Sequence, residues 1–273
     1  MRIIYNKKFL ISFFLILLLL YTFIEPYWLE LKETTIINKD LPAPFENTKI
    51  VFISDIHHGP FFSRKRVRNL VQQINNLNPD IILLGGDYVH RDSMYIQPCF
   101  EELKNLKATI GKFGVLGNHD HWEGAELTRK FAGDAGIRLL DNRAEWVYNN
   151  GERIKIGGVG DMFEDIQDIN PTTSDVREQD FVILLSHNPD FAEKIKTHNI
   201  DLVLSGHTHG GQVTLFGLWA PLVPIKNKQK YRTGVVDTGY TKVVISNGVG
   251  TIAPPARFFA RPQINIISLK KEQ

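Results

Sequence analysis

Five short apolar runs in this 273-residue chain each end in residues able to bind metal or move protons. Lys49 to Ile53 runs into Ser54-Asp55-Ile56-His57, and Ile81 to Leu84 into Gly85-Gly86-Asp87. Phe113 to Leu116 precedes Gly117-Asn118-His119-Asp120. Phe181 to Leu185 precedes Ser186-His187-Asn188, and Leu202 to Leu204 precedes Ser205-Gly206-His207-Thr208-His209-Gly210. A single Asp-x-His is a weak signal, and a lone buried histidine is more often a hydrogen-bonded structural residue than a ligand. Five clusters in succession point to a metal centre, because neutral imidazoles and carboxylates on a rigid scaffold are donors that divalent Mn, Fe or Zn accept. Residues two apart, Asp55 with His57 and His207 with His209, point the same way if the strand conformation continues through them. Glycines beside them let the backbone approach the centre closely.

The elements that must position these residues follow from the pattern around them. Continuous apolar runs of this length suit strands buried on both faces. Between the first two, Val67, Leu70, Val71, Ile74 and Leu77 fall at helical spacing, with Ser63 as N-cap and Asn78-Pro79 as stop. Pro98 to Lys107 and Gly124 to Ala135 read as further helices. Strands are expected at Ile137 to Leu140, Ala144 to Tyr148, Arg153 to Val159, Lys242 to Ser246 and Ile264 to Leu269. The result is an α/β, mixed-sheet domain whose polar residues collect at strand ends, where ligands bind in such folds. Residues 48–273 form this domain, and residues 29–47, with Thr34-Thr35, Asp40, Pro42 and Pro44, read as a leader or edge strand.

The order Asp-x-His, Gly-Asp, Gly-Asn-His-Asp, His and Gly-His-x-His from Asp55 to His209 closely resembles the calcineurin-like metallophosphoesterase family, over roughly residues 48 to 269. The resemblance implies a four-layer αββα sandwich and two divalent metal ions. One would take Asp55, His57, Asp87 and His209; the other Asp87, Asn118, His187 and His207, with Asp87 shared. Two dications outweigh the two bound carboxylates, which leaves positive charge for a phosphate. The implied reaction is hydrolysis by in-line attack at phosphorus. His119 is then the candidate for stabilising or protonating the leaving oxygen. Asp120 is either its supporting carboxylate or a helix-capping one. One departure stands out. Many members carry a carboxylate three residues after the bridging Asp, paired with the motif histidine, whereas this chain has His90. Asp92 or Asp120 could take over the pairing, His119 could act alone, or His90 could itself donate to the substrate phosphate.

Substrate hints lie outside the ligands. Arg64-Lys65-Arg66-Val67-Arg68 reads as a solvated helix start or a basic collar for a second phosphate or anionic lipid. The apolar stretch Val213 to Ile225, followed by Lys226, Lys228, Lys230 and Arg232, reads as a membrane-contacting lip or as packing over the sheet edge. Arg257 is a candidate phosphate or head-group contact, or an arginine that closes its loop. The body also resembles the membrane-associated branch of the family, which includes bacterial phosphodiesterases and a UDP-2,3-diacylglucosamine hydrolase of lipid A synthesis. The function expected is a membrane-anchored phosphodiester or pyrophosphate hydrolase acting on a membrane lipid or lipid-linked phosphate. The alternatives are a tethered hydrolase of small soluble phosphoesters and an inactive head-group binder, which the intact ligand set argues against.

The amino terminus supplies the anchor. Lys7-Lys8 is followed by sixteen uncharged residues, Phe9 to Ile24, which as a helix span about 24 Å. The bulky residues Tyr21 to Trp28 offer no small-x-small cleavage site, so residues 1–28 read as an uncleaved anchor rather than a cleaved signal. Arg2, Lys7 and Lys8 before the run, and Glu25, Glu30 and Glu33 after it, predict a single-pass cell-membrane protein with its catalytic body on the extracytoplasmic side. That orientation sits poorly with UDP-2,3-diacylglucosamine, a sugar nucleotide made in the cytoplasm. Removing those three cations from the net +2 leaves 29 basic against 30 acidic residues, which does not favour a nucleic-acid partner. Cys99, the single cysteine, excludes an intrachain disulfide and a thiolate cluster. Nothing in the sequence sets an oligomeric state.

Overall fold

Alternation explains how uninterrupted apolar runs are satisfied: successive side chains of a strand enter different layers. In the computed structural model, which describes residues 2–272, with side chains from Lys7 onward, β2 (Lys49–Ile53) sends Ile50 and Phe52 into one core and Val51 and Ile53 into another. The first sheet also contains β1 (Glu30–Asn38), β3 (Ile81–Leu84), β4 (Gly111–Gly114), β5 (Arg138–Leu139) and β12 (Gln263–Lys271), in the order β1-β12-β2-β3-β4-β5. The second sheet runs β10-β11-β9-β8-β7-β6, built from β6 (Arg143–Asn149), β7 (Glu152–Gly158), β8 (Val182–Leu185), β9 (Leu202–Ser205), β10 (Gly234–Asp237) and β11 (Lys242–Ile245).

The two sheets pack face to face through Ile50, Phe52, Ile81, Leu83 and Phe113 against Ile154, Ile156, Ile183, Leu185 and Leu204. The outer face of the first sheet is covered by α2 (Arg64–Asn76), α3 (Ile96–Leu103) and α4 (Asn118–Asp134), through Val67, Leu70, Ile74, Phe100, Leu103 and Ala132. The outer face of the second sheet carries a thinner layer. Phe191 from a short 3-10 segment and Ile195 just after it, with Val223 and Tyr231 from a loop, cover Val182, Leu184 and Val203. A mixed α/β two-sheet sandwich results.

Three elements sharpen or shift the sequence reading. Residues 30–38, expected as leader or edge strand, are the edge strand β1, paired in parallel with β12 from Glu30↔Gln263 to Asn38↔Lys271. α4 begins at Asn118 rather than near Gly124, which instead forms a break with φ 140° inside it. α2 starts after Ser63, whose backbone is extended but whose side chain makes no capping bond.

The apolar amino terminus is α1 (Arg2–Ile24), about 35 Å long at 1.5 Å per residue. By length and composition the segment Lys7–Tyr27 is able to cross a membrane, and only 11% of it is buried against the rest of the chain. The side chain of Arg2, one of the three charges behind the predicted orientation, lies outside the described residues.

Candidate metal centre

The strands deliver their ligands through sharp backbone turns. Extended conformation does not persist past β2, β3 or β9: Asp55, His57, Asp87, His207 and His209 have φ of 56°, 48°, 56°, 67° and 51°. A left-handed backbone at a non-glycine residue costs about 1–3 kcal/mol and persists only when its surroundings enforce it. Here they do. Asp55 N–H donates to Gly86 O at 2.9 Å, His57 N–H to Asp87 O at 3.0 Å and His58 N–H to Tyr88 O at 2.9 Å, so the two loops run locked together. Gly117 lies against the centre, where a Cβ would come within 2.3 Å of Asp87 Oδ1 and 2.8 Å of His187 Cε1.

Six of the seven predicted ligands converge in two groups. Asp55, His57 and His209 form one group, and Asp87, His187 and His207 another, each with donor atoms within 4.8 Å of one another. His57 Nε2 and His209 Nε2 are 3.0 Å apart, and Asp55 Oδ1 is 3.5 Å from His209 Nε2. Asp87 Oδ2 lies between the groups, 3.5 Å from His57 Nε2 and 3.3 Å from His187 Nε2. His207 Nδ1 is 3.2 Å from His187 Nε2. Asn118 Oδ1 is buried without a hydrogen-bond partner among the described residues. A buried acceptor left alone is costly, and a cation would satisfy it. This mixed N/O set fits two divalent metals.

Electrostatics agree with that use at three of the histidines; at the fourth, His187, burial is outweighed by Asp87 and Asp55, which hold the ring well above the ordinary histidine value. Burial, reinforced by neighbouring imidazoles, holds His57 and His209 well below the ordinary histidine value, so both are neutral donors at pH 7. Burial and then His187 push His207 down to about 4. Burial opposes ionisation of Asp87, yet His187 and His57 beside it hold its carboxyl well below the usual range. His187 Nδ1 meets the Gly85 carbonyl at 2.6 Å, which leaves Nε2 facing Asp87.

The expected acid–base residues behave differently from one another. His119 is half-buried, its backbone N–H bonded to Asp87 Oδ1 at 2.9 Å. Its Nδ1 lies 3.2 Å from Nδ1 of His90, so His90 occupies the pairing position left by the missing carboxylate. Burial and then His119 push His90 down to about 4, so it pairs as a neutral ring, and its Nε2 is buried with no partner among the described residues. Neither aspartate substitutes. Asp92 caps a 3-10 turn by accepting from Met94 N–H. Asp120 accepts from the N–H groups of Asp87, Tyr88 and Gly117 at 2.8–2.9 Å. It therefore fastens the two ligand loops together and caps α4, and is a positioning residue rather than a proton carrier.

Arg257, proposed as a phosphate contact, is fully buried and turned inward. Its guanidinium donates to the carbonyls of Ala260 at 2.6 Å, Gly250 at 2.6 Å and Asn247 at 2.8 Å, which closes the loop before β12. Three of the four cations of the basic collar are also spent internally. Arg64 and Arg68 pair with Glu102, and Arg66 donates to the Pro26 and Phe61 carbonyls.

Three residues near the centre escape the motif reading. β7 is followed by Val159-Gly160-Asp161, a sixth run into glycine and acid, and Asp161 Oδ2 is buried without a partner among the described residues. Phe163 then reaches within 5.7 Å of the His207 ring. Trp122, one turn after Asn118, packs 4.6 Å from His119 and donates to Glu164 at 2.7 Å. The strand-end pattern at 159–161 was the available signal for Asp161; the two aromatics carry none.

Known proteins agree with this geometry. The model of the calcineurin-like phosphoesterase family matches residues 48–211. A Bacillus subtilis protein described as an uncharacterized metallophosphoesterase, YkuE, is 32% identical over 252 residues, 91% of this chain and 88% of its own length. The Escherichia coli phosphodiesterase YaeI is 32% identical over 250 residues, 90% of both chains. A zebrafish transmembrane protein with a metallophosphoesterase domain is 28% identical, covering 85% of this chain and 55% of its own. Among solved structures, the NAD nucleotidase of Haemophilus influenzae shares the fold with a TM-score of 0.51 at 16% identity, covering 74% of this chain and 45% of that one. The matched stretch takes in every residue that converges on Asp87, and the chain belongs to the calcineurin-like metallophosphoesterases, metal-dependent hydrolases of phosphate esters.

Proposed function

We propose that the protein is a membrane-anchored hydrolase of phosphodiester or pyrophosphate bonds, acting on a substrate held at or in the membrane, with UDP-2,3-diacylglucosamine as one candidate. The observation that carries the chemistry is Asp87, whose carboxylate faces donors of both ligand groups. The YaeI likeness supports diester chemistry. The anchoring rests on α1 and on the zebrafish relative's description, and the extracytoplasmic orientation on the charge asymmetry around the helix.

Asp55, His57, Asp87 and His209 would hold one cation, and Asp87, Asn118, His187 and His207 the other. When bound, two divalent cations supply Lewis acidity toward phosphoryl oxygen and water. The chain does the rest. Asp120 keeps the Asp87 and Asn118 loops in register. His119 holds a proton at the ring edge away from His90, where it can pass to a leaving oxygen, and His90 orients that ring.

The test is hydrolysis by the full chain in detergent, screened with manganese, iron and zinc against phosphomonoesters, phosphodiesters and UDP-acylated sugars. Diesterase or pyrophosphatase activity with manganese, lost in Asp87→Ala, is expected. No activity with any metal, or equal activity in the variant, would refute the enzyme reading. Turnover of soluble diesters that does not respond to detergent or lipid would favour the tethered hydrolase of small phosphoesters instead.

A further inference from the structure

The loop that leaves His209 is apolar on its outside and tied down at its base. Residues 213–219 turn back through the Leu215↔Trp219 bridge, and Thr214 N–H donates to Phe258 O at 2.9 Å. Arg232, itself buried, donates to Gly210 O at 3.0 Å and Gly217 O at 2.7 Å. Thus fixed, the hairpin presents Leu218 at 84% exposure and, where the chain returns, Leu222 at 81%, with Leu215, Phe216 and Trp219 also exposed. The metal centre is immediately behind it, since His207 Nε2 lies 3.2 Å from the Pro224 carbonyl.

The same surface continues onto α1. Phe216 packs on Phe259 at 5.3 Å, Phe259 on Tyr21 at 5.6 Å and Phe258 on Tyr21 at 5.9 Å. Tyr21 lies three residues before the end of α1, about 5 Å along the helix axis. Apolar side chains of interfacial elements sit about 5–10 Å into the boundary between head groups and acyl chains. Tyr27 and Trp28, just beyond the helix, are exposed at the level where aromatic belts form. Lys226 and Lys228, also exposed, follow the hairpin.

We infer that the 213–222 hairpin, Phe259 and the last turn of α1 form one surface that inserts among the acyl chains of membrane lipid, so that the metal centre opens at the level of the head groups. This rests on the anchoring proposed above. A protein partner would have to cover hairpin and helix end together while meeting the two lysines with acids of its own. A bilayer meets both demands, with acyl chains for the apolar side chains and phosphates for the cations.

The experiment uses the full chain with Leu218→Cys, labelled with an environment-sensitive nitrobenzoxadiazole dye and reconstituted into phosphatidylcholine vesicles containing phosphatidylglycerol. The native Cys99 is buried. Tyr148→Cys, an exposed position in β6 at the opposite end of the strands, is the control. The inference expects blue-shifted emission at 218, with most of its intensity quenched by lipid carrying a doxyl group high on the acyl chain, and no change at 148. A chain that floats with vesicles while position 218 reports water overturns the inference and leaves anchoring standing. A blue shift that lipid-borne doxyl does not quench assigns the surface to a second copy and also overturns it. A chain that fails to float overturns both readings.

Discussion

Aspartates stand at both ends of the central strands, and their partners differ. Before β3 and β9, Asp80 and Asp201 bond backward into the sheet. Asp80 accepts the N–H of Lys49, the first residue of β2, at 2.9 Å and the Thr109 hydroxyl at 2.9 Å. Asp201 accepts the N–H of Val182, the first residue of β8, at 2.8 Å and the Asn38 amide at 2.7 Å. After β2 and β3, Asp55 and Asp87 sit instead on left-handed backbone and face imidazoles. One end uses carboxylates to satisfy strand-starting amides, the other holds them against histidine ring nitrogens. Residue type is the same; what separates structure from chemistry is the atom each oxygen meets.

The sharpest test of that contrast is Asp87→Ala, which should lower turnover by about 10³-fold or more, the equivalent of the several kcal/mol a metal contributes. Thermal unfolding should show little loss of stability, because strained, charge-rich sites rarely stabilise a fold. His119→Ala comes next, with a loss of about 10²–10⁴-fold in kcat expected of a general acid. His90→Ala should cost less, about tenfold, and His90→Asp should recover it if orientation of His119 is what His90 supplies. At the other strand end, Asp80→Ala should lose about 1–2 kcal/mol in denaturant unfolding with kcat unchanged, since it strands a strand-starting amide. If Asp80→Ala abolished turnover in folded protein, the contrast between the ends would collapse.

The smallest effect expected is on acid stability. Arg68, and then Arg64, pull Glu102 down to about 2 against the cost of its burial. Its folded value lies below the unfolded one, so its contribution is present above about pH 4.5 and is lost as pH falls toward 2. Glu102→Gln should therefore be less stable than the native chain above about pH 4.5, with the difference closing as pH falls toward 2, which denaturant unfolding followed by circular dichroism at several pH values would show.

Strand ends were legible because a run buried on both faces cannot tolerate polar residues until it stops, so Asp55, Asp87, Asn118, His187 and His207 announce themselves. Their geometry was not. An extended Asp55-x-His57 would also point both side chains one way, and only the tertiary lock between residues 54–58 and 85–90 reveals the left-handed turns. β1 was ambiguous because its burial is that of an edge strand, mostly open to solvent, and its partner β12 lies over 220 residues away. β10, with alternate residues exposed, was missed for a similar reason. Arg257 and the arginines of α2 show the opposite failure. A cation in a sequence advertises a ligand, but carbonyls and Glu102 claim these first.

Glu25, at the foot of α1, is fully buried and accepts the N–H groups of Phe259 and Ala260 at 2.7 and 2.5 Å, while Arg257 N–H bonds Thr22 O at 2.9 Å. The Arg257 guanidinium in turn donates to the His209 carbonyl at 3.3 Å. Where the chain is shortened therefore matters. Trimming at residue 29 to obtain a water-soluble enzyme would remove the carboxylate that holds the loop before β12, whereas trimming ahead of Thr22 would spare it. An inactive soluble fragment of the shorter kind would thus report a lost brace behind His209, and would say nothing about a need for lipid.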